Sequence, residues 1–459
     1  MPNRIVPGFH LPYYLVCVDA AGAERTDDPD GINGRMIPRV SEVLAKEPYT
    51  DVFLMSHGWM GDVPAAIRQY DRWIGAMAMC KDDIERASQV RPGFKPLLVG
   101  FHWPSLPYGD EEMSAGSGVS FSTPGARAGA APDTAALIDA YADRIANTPA
   151  AREALETIFA AAAADTAPPE LSPEVVQAYR VLDREAGLGS GGPANGPGSD
   201  REPFDPEAAY QSALEDSEVS FGSFGLGPVL GILRNLSFFK MKDRARMVGE
   251  TSVHTLLATL QRAAKDSGRD VRFHLMGHSF GCIVMSATLA GPPGKATAEP
   301  VDSAFLAQGA VSFWSYCSDI PHARGKPGYF RGIIDAKRVS GAIVTTQSEH
   351  DTAVCKAYPA ACFARGDVAF APGEFPKYGA LGAFGARGPG VEAVDLKMLD
   401  WNQPYVFERG KIYNIESSQY IAKMESLGSG AHNDIAHAEV AHAMWSAVLL
   451  RGKCDERQR

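Results

Sequence analysis

The sequence contains no CxxC pair, and its seven cysteines lie scattered without the spacing of metal ligands. An odd number of cysteines in this arrangement argues against a disulfide framework and predicts no metal site. A Lys- or Arg-rich block is also missing, and the net charge is −11. We therefore expect no nucleic-acid partner, because binding to nucleic acid depends on clustered positive charge.

Long apolar runs are absent as well. No stretch reaches the ~20 apolar residues that a membrane-spanning helix needs, and the N-terminal segment lacks the uninterrupted apolar region of a signal peptide. We therefore expect a cytoplasmic protein without a membrane span. Hydrophobic residues make up 45% and charged residues 22% of the chain, which is ordinary for a soluble globular protein with a sizeable core.

Short apolar segments typical of strands alternate with segments typical of helices. The predicted strands are, by residue number, 13–18, 51–56, 96–103, 271–276, 304–313, 341–346 and 411–415. They are rich in Val, Leu and Ile and mostly lack alternating polar positions, as expected of strands covered on both faces. The pattern predicts an α/β fold with a mostly parallel, doubly covered sheet.

The alternation of strand and helix patterns stops between the predicted strands 96–103 and 271–276. We predict a core formed by residues 1–105 and 241–459, and a large, mainly helical insertion at 106–240. Within the insertion, 187–203 is rich in Gly, Pro and Ser, a composition that predicts a flexible loop without a buried core. The apolar stretch 221–239 follows it, and it is either a wall of the substrate pocket or a buried helix of the insertion.

The segment Gly277-His278-Ser279-Phe280-Gly281 matches G-x-S-x-G, and this match occurs once in the chain. It stands between a predicted strand and a helical segment, which is the context that a nucleophile elbow requires. A sharp turn there exposes the serine hydroxyl, and side chains two positions before and after it would collide with neighbouring backbone. We predict Ser279 as a nucleophile; a tight crossover with a chance serine is the alternative.

A second motif, Ser56-His57-Gly58-Trp59, directly follows an earlier predicted strand. In α/β folds with a nucleophile elbow, two main-chain N–H groups bind the oxyanion that forms when the serine attacks. The loop after an early strand supplies one of them, and the residue after the nucleophile supplies the other. The predicted donors are Trp59 and Phe280. Four further residues are predicted to contact the substrate: His57, Gly58, Trp103 and His278. The alternative for this motif is a strand-ending turn with a packed tryptophan.

A serine hydroxyl needs a base to remove its proton. In the chain order Ser, acid, His, the base comes last, and we predict His432, which precedes the final helical segment. His437 and His442 fall inside that segment and are the weaker candidates. Asp351, just past a predicted strand, is the expected acid that orients the imidazole. Asp319 is its rival.

Taken together, HGW after one strand, GHSFG after another, and then Asp351 and His432 resemble the α/β-hydrolase superfamily. FHWPS and VTTQSEHDTAV look like segments of its bacterial serine hydrolases, with members of esterase and lipase type. The resemblance covers about 1–105 and 241–459. It implies an eight-stranded, mostly parallel sheet and hydrolysis through an acyl-enzyme, with no cofactor.

The resulting hypothesis is a serine hydrolase that cleaves carboxylic esters of small molecules. An amidase or peptidase with the same residues stays open, and so does a non-catalytic binding protein that keeps the fold. A dehalogenase would require a carboxylate as the nucleophile, whereas position 279 is Ser.

Overall fold

The computed structural model of the chain describes residues 4–9, 12–59, 61–105, 134–215, 227–295, 297–361, 375–424 and 430–450. Within these residues, nine strands form one sheet: β1 Arg4–Ile5, β2 Pro12–Cys17, β3 Asp51–Ser56, β4 Pro96–His102, β5 Arg272–His278, β6 Ser303–Ala307, β7 Ile343–Gln347, β8 Ala393–Lys397 and β9 Ile412–Glu416. Their order is β1-β2-β4-β3-β5-β6-β7-β9-β8, and only β1 is antiparallel to its neighbour. The chain therefore has an α/β fold with a mostly parallel sheet, as predicted.

The two strands that the sequence did not reveal are β1 and β8, so the sheet has nine strands rather than the implied eight. Both lie at its edges. β1 has only two residues, and most side chains of β8 are exposed. Neither strand therefore carries the run of buried apolar residues that marks the central strands.

The helices of the described residues lie between the strands and within the predicted insertion: α1 Met36–Lys46, α2 Val63–Met79, α3 Lys81–Val90, α4 Thr134–Arg144, α5 Pro149–Ala164, α6 Pro173–Ala186, α7 Pro206–Glu215, α8 Gly227–Val248, α9 His254–Asp266, α10 Gly281–Ala290, α11 Arg331–Asp335, α12 Tyr358–Ala361, α13 Leu381–Phe384 and α14 Ala438–Val448. A π-helical turn, Gly249–Val253, joins α8 to α9, and another, Ala353–Ala357, precedes α12. None of these helices combines the length and hydropathy needed to cross a bilayer.

Both faces of the sheet are covered, as β3 illustrates. Its side chains alternate between two apolar clusters: Val52 and Leu54 belong to one, and Phe53 and Met55 to the other. The first cluster contains residues of α1, α9 and α10, and the second contains residues of α2 and α14. Because successive side chains of a strand point to opposite faces, a strand covered on both sides is apolar throughout.

The predicted border of the insertion at residue 240 is wrong, because α8 runs through it without interruption from Gly227 to Val248. No Gly or Pro stands near position 240 to end a helix. The helix then continues through its π-helical turn into α9. Of the apolar stretch 221–239, the part from Gly227 onward forms α8; the part before it lies outside the described residues.

The Gly- and Pro-rich segment 187–203 also differs from expectation, because it does contribute buried side chains. Asp200 and Arg201 are almost fully buried. Asp200 accepts hydrogen bonds from Lys242 Nζ at 3.0 Å and from the Tyr358 hydroxyl at 2.6 Å. Apolar content alone missed this anchor, since charged groups can be buried when they are paired. The mobility of the segment in solution stays a prediction.

The ends of the central strands meet at one edge of the sheet. Ser56, the last residue of β3, is paired with Gly277 of β5, and Gly277 with Leu306 of β6. Because these neighbours are parallel, the loops that follow them emerge side by side at the carboxyl edge. The HGW motif, the GHSFG motif and the loop before Asp351 all lie at this edge.

Candidate active site

Ser279 occupies the turn between β5 and α10. Its φ of +55° lies in the left-handed region, which residues other than glycine rarely adopt. Main-chain hydrogen bonds hold this conformation: the Ser279 N–H donates to Ala307 O of β6 at 3.1 Å, and Ser279 O accepts from the Ala310 N–H at 3.1 Å. The predicted strand, turn and helix are therefore present around this serine.

The two glycines of the motif allow the chain to turn this sharply. A Cβ atom on Gly277 would lie 2.5 Å from the main-chain oxygen of Gly281, and one on Gly281 would lie 2.3 Å from that of Ser56. Both distances are well below van der Waals contact. The close packing of the turn on the end of β3 therefore requires glycine at both positions.

Asp351 and His432 form a buried hydrogen-bonded pair. The carboxylate oxygen Oδ2 of Asp351 lies 2.7 Å from Nδ1 of His432, and Asp351 is fully buried. A carboxylate can only accept, so Nδ1 carries the proton and Nε2 of a neutral His432 presents a lone pair. The predicted acid and the predicted base are thus in contact.

Further donors hold the carboxylate of Asp351 in place. The side-chain amide of Gln308 donates to Oδ2 at 2.9 Å, and the Val354 N–H donates to Oδ1 at 3.2 Å. Gln308 itself has a φ of +45° just after β6, and its Oε1 accepts from the Thr346 hydroxyl at 3.0 Å. No sequence motif marks Gln308, so its role was not predicted.

His278 brings the loop of His432 next to the nucleophile turn. Its Nε2–H donates to the main-chain oxygen of His432 at 2.8 Å, and the centroids of the two rings are 4.7 Å apart. No hydrogen bond joins the Ser279 hydroxyl to Nε2 of His432 in this structure, although both residues are described. Such contacts are often long in ligand-free enzymes and shorten when substrate binds.

The HGW loop packs directly against Ser279. A Cβ on Gly58 would lie 2.7 Å from Cβ of Ser279. Ser105, at the end of the FHWPS stretch, anchors this loop, because its hydroxyl lies 3.1 Å from Gly58 O and 2.9 Å from the Gly61 N–H. The glycine at position 58 therefore lets the loop approach the serine closely.

The main-chain N–H groups of Trp59 and Phe280, the predicted oxyanion donors, flank this contact. Among the described residues, neither group donates a hydrogen bond to the protein. The two rings are stacked, with centroids 5.6 Å apart and planes at 27°. Both N–H groups are therefore available to a ligand, and their role as oxyanion donors stays a prediction.

His57 and Trp103, which the sequence predicted as substrate contacts, support the HGW loop from inside the protein. Both are fully buried. The ring of Trp103 stacks on that of His57 at 5.7 Å, and its indole N–H donates to His57 O at 3.3 Å. Burial, followed by the neighbouring His102, lowers the pKa of His57 to about 3, so its ring is neutral.

Comparison of the chain with family models, with curated proteins and with solved structures gives no match. The geometry of the site is therefore what bears on its chemistry. No group of three or more His, Cys, Asp and Glu side chains in the described residues is arranged to hold a metal ion.

The rival residues lie elsewhere or have other partners. Asp319 accepts from the Gly325 N–H at 2.6 Å. His437 pairs with Asp434 at 2.8 Å, and His442 pairs with Asp83 at 2.7 Å. Of the candidates considered from the sequence, Asp351 and His432 are the acid and base that contact each other.

One ring from the insertion reaches the site. Phe238 of α8 is half-buried, and its centroid lies 5.2 Å from that of Phe280 and 5.6 Å from that of Trp59. We call these three residues the aromatic wall. Three other apolar residues of the stretch 221–239 were candidates for a pocket wall. Leu230 is buried inside the insertion, and Phe224 and Leu226 lie outside the described residues.

Proposed function

We propose that this protein is a serine hydrolase of the α/β-hydrolase fold that cleaves carboxylic esters through an acyl-enzyme. One observation carries the proposal. His432 is held at its ring by Asp351 and at its main chain by His278, the residue immediately before Ser279. A serine in a left-handed turn, an adjacent histidine with a free Nε2 and a buried carboxylate behind it are the parts that activate a serine nucleophile.

The steps follow from these positions. His432 Nε2 takes the proton of the Ser279 hydroxyl while the serine oxygen attacks the ester carbonyl. The negative charge that forms on the carbonyl oxygen is bound by the N–H groups of Trp59 and Phe280. Collapse of this intermediate releases the alcohol, which receives the proton from His432. His432 Nε2 then takes a proton from a water molecule, whose oxygen attacks the acyl-enzyme carbonyl. Collapse of this second intermediate returns the proton to the Ser279 oxygen and releases the acid.

Strand order and loop positions support the hydrolase fold. The nucleophile turn follows the central strand β5, and the HGW loop leaves β3, which is the position of the oxyanion loop in that fold. The residues also occur in the chain order Ser, acid, His. We therefore interpret the sheet as that of an α/β-hydrolase with one strand more than the implied eight.

The aromatic wall supports an apolar acyl group as the part of the substrate next to Ser279. Its three rings come from the HGW loop, from the nucleophile turn and from α8 of the insertion. Pockets for small apolar ligands are lined by such side chains, with few polar groups.

Labelling with a fluorophosphonate tests the proposal. We expect the phosphonyl group on the peptide that contains Ser279, and no labelling of Ser279→Ala. Esters of increasing acyl length and matched amides then identify the bond that is cleaved. Cleavage of the amides at comparable kcat/KM would favour an amidase or peptidase. A folded protein that neither reacts with the probe nor cleaves any substrate would be a non-catalytic binding protein.

A further inference from the structure

The histidine before the nucleophile turn makes contacts that the steps above do not use. His278 ends β5 and is buried, and both of its ring nitrogens are hydrogen-bonded within the protein, so in this structure neither is available for the predicted substrate contact. Its Nε2–H donates to the main chain of His432, and its Nδ1 accepts from the amide Nε2 of Gln69 in α2 at 2.9 Å. The ring thus connects the nucleophile turn, the loop of the base and α2.

The partners of His278 determine its protonation state. The carbonyl of His432 can only accept, so Nε2 must carry a proton. The other nitrogen, Nδ1, accepts from the Gln69 amide, and the ring is neutral. Burial, and then the charge of neighbouring His432, lowers the pKa of His278 well below its usual range. The hydrogen bonds and the pKa therefore agree.

We infer that His278 is a positioning residue, which holds the main chain of His432 so that its imidazole faces the Ser279 hydroxyl. The inference rests on the proposed function, because it assigns a task within the same site. Asp351 holds one ring atom of His432, and bonds to Ala431 and Asn433 hold the neighbouring residues of the loop. Among the described residues, His278 is the group that holds the main chain of His432 itself. The bond from His278 fixes the other end of the residue, next to the nucleophile itself.

The neutral state of His278 matters for the same step. When His432 takes the proton of Ser279, it becomes an imidazolium whose ring centroid lies 4.7 Å from that of His278. A second positive charge at this distance in a buried site would repel it. The hydrogen bond from Gln69 opposes this, because its amide N–H donates to Nδ1 and a proton added there would face a donor.

The test compares His278→Gln with His278→Asn. The amide nitrogen of Gln can take the place of Nε2 and donate to the His432 carbonyl, whereas the shorter Asn side chain cannot reach it. The same two substitutions at His274 are the matched controls. His274 lies on the same strand, is equally buried and has hydrogen-bond partners at both ring nitrogens, Ser303 and Asp51.

We expect kcat of His278→Asn on an activated ester to fall about 100-fold, since a displacement of about 1 Å costs on the order of 10² in rate. KM should change less than about 3-fold, because no substrate contact is removed. His278→Gln should return kcat to within about 5-fold of the parent, since the hydrogen bond is restored. Both His274 variants should unfold at lower temperature and keep kcat.

A further variant covers the case in which neither His278 variant folds. Gln69→Leu leaves the histidine in place and removes only the donor to Nδ1, and we expect about a 10-fold lower kcat. Unchanged kcat in His278→Asn or, failing that, in Gln69→Leu would overturn the inference. So would equal losses in His278→Gln and His278→Asn, or an equal loss in the His274 variants. A parent chain inert to esters and to fluorophosphonate would remove the proposed function and this inference together.

Discussion

Two sets of Ser, His and Asp side chains lie at opposite ends of β5: the carboxyl-edge set of Ser279, His432 and Asp351, and the amino-edge set of Ser303, His274 and Asp51. In the second set, His274 has Nδ1 2.8 Å from the Ser303 hydroxyl and Nε2 3.1 Å from the Asp51 carboxylate. By residue type and contact distance, this amino-edge set looks the more complete of the two. Composition and proximity alone would therefore select the amino-edge set rather than the set that we propose as the active site.

The two sets differ in backbone conformation and in the hydrogen-bonding atoms that remain unused. Ser303 belongs to strand β6, whereas Ser279 stands in a left-handed turn beside two unused N–H groups. Both ring nitrogens of His274 have partners, while His432 uses Nδ1 for Asp351 and leaves Nε2 available. A reactive set thus depends on strained turns and loop ends, which occur at the carboxyl edge of a parallel sheet.

The serines give the largest expected difference. Ser279→Ala should fold normally and lose about 10⁴-fold or more in kcat on any ester that the parent cleaves. Ser303→Ala should keep kcat, because Ser303 only hydrogen-bonds to a structural histidine. Ester turnover and circular dichroism of both variants give the comparison. Near-normal turnover by Ser279→Ala would assign the nucleophile elsewhere.

The second largest expected difference is between the two candidate acids, Asp351 and Asp319. Asp351→Asn should lower kcat by up to about 10⁴-fold, because the amide no longer fixes the tautomer of His432 or stabilises its imidazolium. Asp319→Asn should have a mild effect, since Asp319 only bonds to the Gly325 main chain. Steady-state kinetics at saturating ester measure both variants. A reversed order would move the acid to Asp319.

The sequence was sufficient for the features that depend on local pattern. The turn around Ser279 was predicted, and so were the central strands to within two residues, except that β6 ends at Ala307 rather than at residue 313. These features follow from apolar runs covered on two faces and from glycines that a tight turn requires. Their signals lie within short stretches of the chain, where sequence is informative.

Features that depend on contacts distant in sequence were missed or assigned wrongly. His57 and Trp103 are buried against each other although they come from different strand ends. The segment 187–203 is anchored through Asp200 to Lys242 and Tyr358, far along the chain. Such pairs depend on the tertiary fold, and composition averages over them.

The HGW loop gives the next effect. Gly58→Ala would place a methyl group 2.7 Å from Cβ of Ser279, so the loop must move away together with the Trp59 N–H. We expect kcat to fall by about 10²–10³-fold, as for the loss of one oxyanion donor. Gly332→Ala in α11 is a control outside the site, since a Cβ there meets nothing within 4 Å and the backbone is not in the left-handed region. Unchanged kcat in Gly58→Ala would argue against an oxyanion donor in this loop.

The aromatic wall distinguishes the insertion from the core. Phe238→Ala should reduce kcat/KM for long apolar acyl chains by about 10–100-fold, because each lost apolar contact is worth roughly 1–3 kcal/mol. Short esters should be little affected. Leu230→Asn, inside the insertion, should lower thermal stability without changing the chain-length profile. Identical profiles for the parent and Phe238→Ala would place the substrate walls elsewhere.

The smallest effect concerns the amino-edge set, which we expect to act on stability alone. Burial raises the pKa of Asp51, but hydrogen bonds from His274 and Thr50 and the charge of Arg91 outweigh it, so the pKa is lowered overall. A carboxyl whose pKa is lower in the folded state stabilises the fold fully above its unfolded pKa of about 3.9. The contribution disappears as the pH falls through the folded-state pKa.

Asp51→Asn tests this assignment through urea unfolding between pH 7 and pH 3. At pH 7 the variant should be less stable by about 1–3 kcal/mol, because the amide lacks the charge that faces Arg91 and has one acceptor oxygen where the carboxylate offers two, to His274 and Thr50. Toward pH 3 the free energies of unfolding of parent and variant should converge, since the parent loses the contribution of Asp51.

Asp270→Asn is the matched control. Asp270 also lies 3.4 Å from the Arg91 guanidinium, but its side chain is 94% exposed, so its removal should cost little at either pH. All three proteins should hydrolyse the same ester with the same kcat at pH 7. Parallel stability curves for parent and Asp51→Asn would contradict the lowered pKa, and a loss of kcat confined to Asp51→Asn would mean that the amino-edge set is coupled to the chemistry at the other end of β5.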